Sequence, residues 1–358
     1  MNTIEQIRKG MCGILAIGNH AQTLQSVLDF DFLAGKKEPS IVAIVGGTRT
    51  AQKFFFGEKE ILIPCFADIS LVPDASRAKV RWMLNTSSGR RAYESTMAFF
   101  EAFPKALGGH IFAENVPEKH ATELIARFGK KYLIAGPSGV GLCVAGHLKL
   151  GVVGGTDMAQ LEAAKLATPG SVAVVSTSGG MTNELIRAVA GAGHRVSFAL
   201  SIGGDRFPIL SLTEVLKLAQ EDFATKRIVY FGELGGTDEY EIVEALEKRA
   251  LTKPIVCYIA GIIDEAFDEH MQFGHAKALV ARKDESTRAK RAALVRAGAE
   301  VPETFPEFLK AIAAFPLPAH EDRPSVAFRA TGRRASILST REIVDVERVP
   351  PAVIEGKL

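Results

Sequence analysis

Three short segments carry side chains whose type and spacing could do chemistry. In SVAVVSTSGGMTNEL an apolar run ends at Ser176 and is followed by Ser178, Gly179 and Gly180, then by helix-forming sequence from about Met181. Glycines after a strand leave backbone N–H groups pointing outward, and the helix N-terminus adds partial positive charge, so the segment suits an anion or a phosphate. Ser178 and Thr182 add hydroxyls, although the same residues also fit an ordinary strand-to-helix turn capped by one of them. In FGELGGTDEYEIVEAL an apolar run delivers Glu233 where α/β folds place active-site groups. Asp238 and Glu239 beyond the Gly-Gly turn are accounted for by the dipole of the helix they open, but Glu233 is not. In HMQFGHAKALVAR, His275 sits among small residues that leave an imidazole accessible. A neutral ring nitrogen is nucleophilic near neutral pH and can pick up a phosphoryl group. His270, beside Glu269, reads as a surface residue.

Other segments are less specific. IGGDRFPIL makes a rigid corner in which Asp205 and Arg206 pair with each other, or Arg206 meets an anion. LNTSSGRRAYESTM offers Ser87, Ser88, Arg90 and Arg91 at the end of another apolar run, suited to an adenylate or phosphate, or else simply a solvated loop. GILAIGNHAQTLQ opens like a nucleotide fold but has Asn19, His20 and Thr23 where a GxGxxG fingerprint would need glycine, which argues against hydride transfer to a dinucleotide.

These groups must be held by elements, and the chain repeats one unit: a short β-branched apolar run, a glycine turn, an amphipathic helix. Strands are predicted at 13–18, 40–45, 80–85, 110–113, 132–136, 171–176, 197–204, 227–232, 254–261 and 277–281. Runs without strict alternation, separated by helical sequence, predict parallel strands buried on both faces and hence an α/β fold. We expect a first domain over 1–146, a second over 147–315 closed by helices near 285–297 and 305–315, and a Pro- and Arg-rich linker or arm over 316–358. With 43 basic and 41 acidic residues the charge is near balance, which gives no electrostatic reason for a nucleic-acid partner. No apolar stretch approaches the roughly 20 residues of a membrane span. Cys12, Cys65, Cys143 and Cys257 form no CxxC pair, so neither a metal site nor a disulfide framework is expected, and a reducing cytoplasm fits.

Taken in order, LDFDFLAGKKEPSIVAIV, QKFFFGEKEILIPCF, RRAYESTM, SVAVVSTSGGMTNEL, IGGDRFP, GELGGTDEYEIVEAL, LTKPIVCYIAG and QFGHA resemble the superfamily of succinyl-CoA synthetase α-type subunits, and more closely the corresponding part of the ATP-citrate lyases. The resemblance covers about Leu28 to Val301. It implies a Rossmann-like CoA-binding domain followed by a flavodoxin-like, parallel-sheet CoA-ligase domain. It further implies a partner chain of ATP-grasp (β-type) class that uses MgATP to phosphorylate His275, in a cytoplasmic hetero-oligomer. The phosphoryl group would pass to citrate, and coenzyme A would then form citryl-CoA.

In that scheme Glu233 holds the histidine ring, Ser178, Gly179 and Gly180 receive the phosphoryl group, and Ser88 and Arg90 contact coenzyme A. Three positions depart from the family pattern: Lys277 stands where glycine is usual, the segment after Val45 is short, and Thr86 replaces a larger apolar residue. No citrate-synthase-like module is present, but GRRASILSTREIVDVE resembles that module's opening, as expected of a split subunit or a shortened chain. Succinate or malate in place of citrate, and a non-catalytic CoA-binding homologue, are the alternative readings. Glu233, His275 and the Ser178 loop together argue against the last, since mere binding needs no histidine.

Overall fold

The computed structural model describes residues 3–261 and 282–316. In chain order the elements are α1 (Thr3–Arg8), β1 (Gly13–Ile17), α2 (Ala21–Leu33), β2 (Ile41–Val45), β3 (Ala51–Phe56), β4 (Lys59–Phe66), α3 (Asp74–Arg77), β5 (Val80–Asn85), α4 (Gly89–Ala102), β6 (Gly108–Ile111), α5 (Glu118–Phe128) and β7 (Leu133–Ala135). They continue as β8 (Gly141–Val144), β9 (Leu148–Gly151), α6 (Met158–Ala163), β10 (Val172–Ser176), α7 (Gly179–Gly191), β11 (Val196–Ser201) and α8 (Leu212–Glu221). The last are β12 (Arg227–Glu233), α9 (Glu239–Glu247), β13 (Ile255–Ala260), α10 (Thr287–Arg296) and α11 (Phe305–Ala313). The strand expected at 277–281 and everything after 316 lie outside the described residues.

Two sheets result, with strand orders β3-β4-β2-β1-β5-β6-β7 and β13-β12-β10-β11-β8-β9. The expected α/β class holds: β1 pairs in parallel with β2 and β5, and β10 with β11 and β12. The central strands β10 and β11 are buried throughout, the reason their sequences are continuous apolar runs. In the first sheet the order reverses at β1, which opens a crevice beyond its carboxyl end.

Both sheets are mostly parallel, as expected, and each adds an antiparallel hairpin at one edge. β3 and β4 form an antiparallel hairpin at one edge, closed at the Phe56–Lys59 pair with Gly57 at φ +62°. β8 runs antiparallel to β11 and pairs with β9, so sequence read as connector from His147 onward supplies the far edge of the second sheet. Lys53, Lys59 and Glu60 interrupt the apolar pattern of the first hairpin, and β8 and β9 are only four residues each, with Lys149 inside β9.

The two sheets share a core. One apolar cluster includes Ile14 and Trp82 of the first sheet with Leu142, Leu200 and Tyr230 of the second. Polar ties reinforce it. Arg8 on α1 ion-pairs with Asp222, at the end of α8, and also donates to Ser197 O at 3.3 Å. The fully buried Lys149 on β9 donates to Ser26 Oγ on α2 and to Gly151 O, both at 2.7 Å.

Candidate functional site

The carboxyl ends of β10, β11 and β12 bring together segments that are far apart in sequence. β10 stops at Ser176, where the chain turns sharply: Ser178 N donates to Ser176 Oγ at 2.9 Å, and Ser176 Oγ donates to Ser178 O at 3.1 Å. Ser178 then occupies the N-cap of α7 without making a side-chain cap bond, while Thr182 Oγ1 donates back to Ser178 O at 2.8 Å. The helix thus begins at Gly179, two residues earlier than the sequence suggested. Its first-turn N–H groups have no intrahelical partner and face outward beside the half-exposed Ser178. The two glycines do different jobs. A Cβ on Gly179 would lie 2.9 Å from Val140 Cγ1, so close packing favours glycine there. A Cβ on Gly180 would meet nothing within 4 Å, so that space is open to a ligand.

Glu233 ends β12, half-buried, and lines one pocket with Thr177, Gly204 and Asp238. The predicted Ser178 loop and the predicted Glu233 thus lie at the carboxyl ends of two paired parallel strands, β10 and β12, and Thr177 just before the loop lines the pocket with Glu233. Beneath them lies a buried ion pair that sequence reasoning missed. Lys290 on α10 donates to Glu233 O at 2.8 Å and to Gly235 O, and its Nζ lies 2.6 Å from Glu239 Oε2. Tyr230 Oη donates to Glu239 Oε1 at 3.1 Å. Burial raises the Glu239 carboxyl above its ordinary pKa, and the Lys290 ammonium opposes that shift. Glu239 is thus more than the helix-dipole residue it was taken for: with Lys290 it clamps the loop that follows Glu233. A glutamate opening a helix looks the same in sequence whether it faces water or a buried lysine, so no local signal identified it.

A second site faces the crevice of the first sheet. Asn85, buried at the end of β5, accepts from Ser87 N at 3.1 Å and Ser87 Oγ at 2.6 Å, and donates to Ser95 Oγ at 2.8 Å. This braces the 86–88 turn. Ser88 is the N-cap of α4 without a side-chain cap bond, and it and Arg90 are exposed at the helix start. Thr86 Oγ1 donates to Ile17 O at 3.0 Å, stitching β5 to β1 at the crevice. An exposed hydroxyl, an arginine and free N–H groups at a helix N-terminus fit a phosphate-bearing ligand such as coenzyme A.

The two sites are joined through backbone. Ser138 N donates to Ala113 O at 2.9 Å, beyond β6, and Ser138 O accepts from Gly204 N at 3.0 Å, beyond β11. Arg206 pairs with Glu118 at 3.5 Å, not with Asp205, and both partners are largely exposed, so the contact adds little stability. His275 and His270 lie outside the described residues, as does Lys277. Among the described residues no cluster of His, Cys, Asp or Glu could hold a metal ion. Cys65, Cys143 and Cys257 are buried, Cys12 is half-buried, and all four are free thiols. Burial pushes the Cys143 thiol up to about 12, which makes it inert as a nucleophile. No helix among the described residues is long and apolar enough to cross a membrane.

Comparison with known proteins agrees with this geometry. Residues 175–299, from the end of β10 through α10, match the CoA-ligase family. The chain is 38% identical over 291 residues to the probable ATP-citrate synthase subunit 1 of Schizosaccharomyces pombe, a match covering 80% of this chain and 47% of that protein. It is 39% identical to the Homo sapiens ATP-citrate synthase over 297 residues, 81% of this chain and 26% of that one. In three dimensions it matches the Methanosaeta concilii ATP citrate lyase D541A mutant, solved with (3S)-citryl-CoA, at a TM-score of 0.80 and 33% identity over 84% of this chain and 49% of that chain. The chain thus spans half or less of these relatives. The resemblance to ATP-citrate lyases read from the ordered motifs holds, and the segment that matches the CoA-ligase family spans both the Ser178 loop and Glu233.

Proposed function

We propose that the chain is the citryl-CoA-forming portion of an ATP-citrate synthase. The observation that carries this reading is that Glu233 shares a pocket with Thr177, the residue just before the Ser178–Gly180 helix start, in a segment that matches the CoA-ligase family and a fold similar to a lyase solved with citryl-CoA. In the proposed sequence, an ATP-grasp partner presents MgATP to His275. A ring nitrogen attacks the γ-phosphorus, the bond to the β-phosphate oxygen breaks and ADP leaves. Glu233 accepts the N–H of the other ring nitrogen, which orients the ring and stabilises its positive charge. The α7 N–H groups of Gly179 and Gly180, with the Ser178 hydroxyl, hold the transferring oxygens where charge spreads.

A citrate carboxylate oxygen then attacks phosphorus, the P–N bond breaks, and citryl phosphate forms. The thiolate of coenzyme A, held at Ser88 and Arg90 in the first-sheet crevice, attacks the activated carbonyl and phosphate departs. Cleavage of citryl-CoA would require a further module. Free thiols and balanced charge suit a cytoplasmic enzyme working with its partner as a hetero-oligomer.

The acid is tested by rates. With an ATP-grasp partner, MgATP and CoA, citrate should give ADP and an acyl-CoA at least tenfold faster than succinate or malate. Equal or greater rates with succinate would replace citrate as the substrate, and CoA binding without turnover of any acid would favour a binding module.

A further inference from the structure

The pocket at Glu233 contains a buried hydroxyl that the scheme above does not use. Thr177 is only 7% exposed, its Oγ1 has no hydrogen-bond partner among the described residues, and the residue lines the pocket shared with Gly204, Glu233, Asp238 and Glu239. Leaving a buried hydroxyl unpaired costs about 1–3 kcal/mol. Its neighbours are satisfied: Ser176 Oγ is bonded to Ser178 N, and Thr182 Oγ1 to Ser178 O. The backbone of Thr177 is also fixed, with its N–H donating to Phe231 O at 3.2 Å and so tying β10 to β12. The side chain is therefore held in place with its hydroxyl spare.

The rest of the pocket wall offers little to an anion. Leu234 N donates to Ala260 O at 2.9 Å, Gly235 N to Glu285 O at 3.0 Å and Gly204 N to Ser138 O at 3.0 Å, so these N–H groups are already committed. Glu233 and Asp238 add carboxylates, which repel a phosphate unless donors are aimed at it. Thr177 lies immediately before Ser178, the N-cap of α7, lines the pocket, and carries a buried, unpaired side-chain donor.

We propose that Thr177 is a positioning residue for the phosphoryl group: its O–H donates to a phosphoryl oxygen, complementing the α7 N–H groups from the side opposite solvent. The inference rests on the reading of this edge as a phosphoryl site.

The test uses the full chain and inorganic phosphate, followed by phosphorus NMR line broadening, for the wild type, T177V and T177S. Phosphate should bind the wild type, bind about tenfold more weakly to T177V, and recover in T177S, with thermal unfolding of T177V unchanged or raised because an unpaired hydroxyl has been removed. In turnover with the partner, T177V should lower kcat and leave the KM for CoA unchanged. Phosphate affinity in T177V equal to that of the wild type would overturn the role of Thr177 while leaving the phosphoryl site standing. Absence of phosphate binding to the wild type would overturn the underlying site as well.

Discussion

Gly180 and Gly179 sit side by side in sequence, yet their surroundings assign them separate consequences. Open space beside Gly180 means that G180V should fold with a stability change within about 0.5 kcal/mol. The added side chain would stand where an anion must approach, so phosphorylation in a single turnover with the partner should slow roughly a hundredfold, the scale of losing an aligned donor set. G179A should do the reverse. Its Cβ meets Val140 at 2.9 Å, so stability should fall by about 1–3 kcal/mol with a smaller effect on rate. Denaturant titration and rapid-quench phosphorylation of the two variants separate the roles. At this scale the sequence was most legible where a residue's value lies in its backbone or its place at a strand end, as with Gly180 and Glu233. It was least legible where value lies in a partner: Lys290 is fifty-one positions beyond Glu239 with no local mark of their contact, and Thr177 reads as one more hydroxyl in Ser-Thr-Ser.

Among the elements, β9 and α10 each carry a fully buried lysine, and each makes a prediction. Removing the Lys290 amine in K290M leaves the Glu239 carboxylate buried without its cation, which should cost about 3–5 kcal/mol, and the added change E239Q should restore much of that loss. Lys149 has no comparable ion pair. Burial lowers its pKa to about 7, against smaller raising effects from Cys143, Asp29 and Asp31. In the unfolded chain the amine stays protonated to about 10.5, so Lys149 makes stability rise with pH from about 7, a slope to be read below about 8.5, above which the buried thiols Cys143 and Cys257 act in the opposite direction. His110 on β6 acts in the same direction at lower pH. Its Nδ1 faces Ala135 O at 3.2 Å, and burial lowers its pKa to about 4, so stability falls as pH drops from about 6.5 towards 4. Urea unfolding across pH should show both slopes in the wild type, and K149M should lose only the upper one. Retention of the upper slope in K149M would show that Lys149 is not its source. The element pattern of parallel strands and helices was readable because burial on both faces writes long apolar runs. The hairpins β3–β4 and β8–β9 were not, since Gln52, Lys53, Lys59, Glu60 and Pro64 interrupt the apolar pattern of the first and the strands of the second have only four residues each.

Across the whole molecule, the expected boundary near residue 146 falls inside the β8–β9 hairpin, and the two sheets share an apolar cluster. The two halves should therefore unfold together. The single tryptophan, Trp82, is fully buried in the first sheet, so its fluorescence and far-ultraviolet circular dichroism should report coincident transitions; two separated transitions would mean that the halves are independently stable. That shared core matters for function, because the crevice at Ser88 and the edge at Glu233 are linked through Ser138 by a continuous backbone path, which suits a reaction needing a phosphoryl group and a thiol at nearby places. The account's central claim is that this edge serves a histidine that carries phosphate. Its most direct measurement is to incubate the full chain with an ATP-grasp partner and γ-labelled MgATP, then map the label. The account predicts acid-labile, base-stable phosphate on His275, absent in H275N, sharply reduced in E233Q, and discharged by citrate with CoA. Label on another residue, or turnover undiminished in H275N, would contradict it.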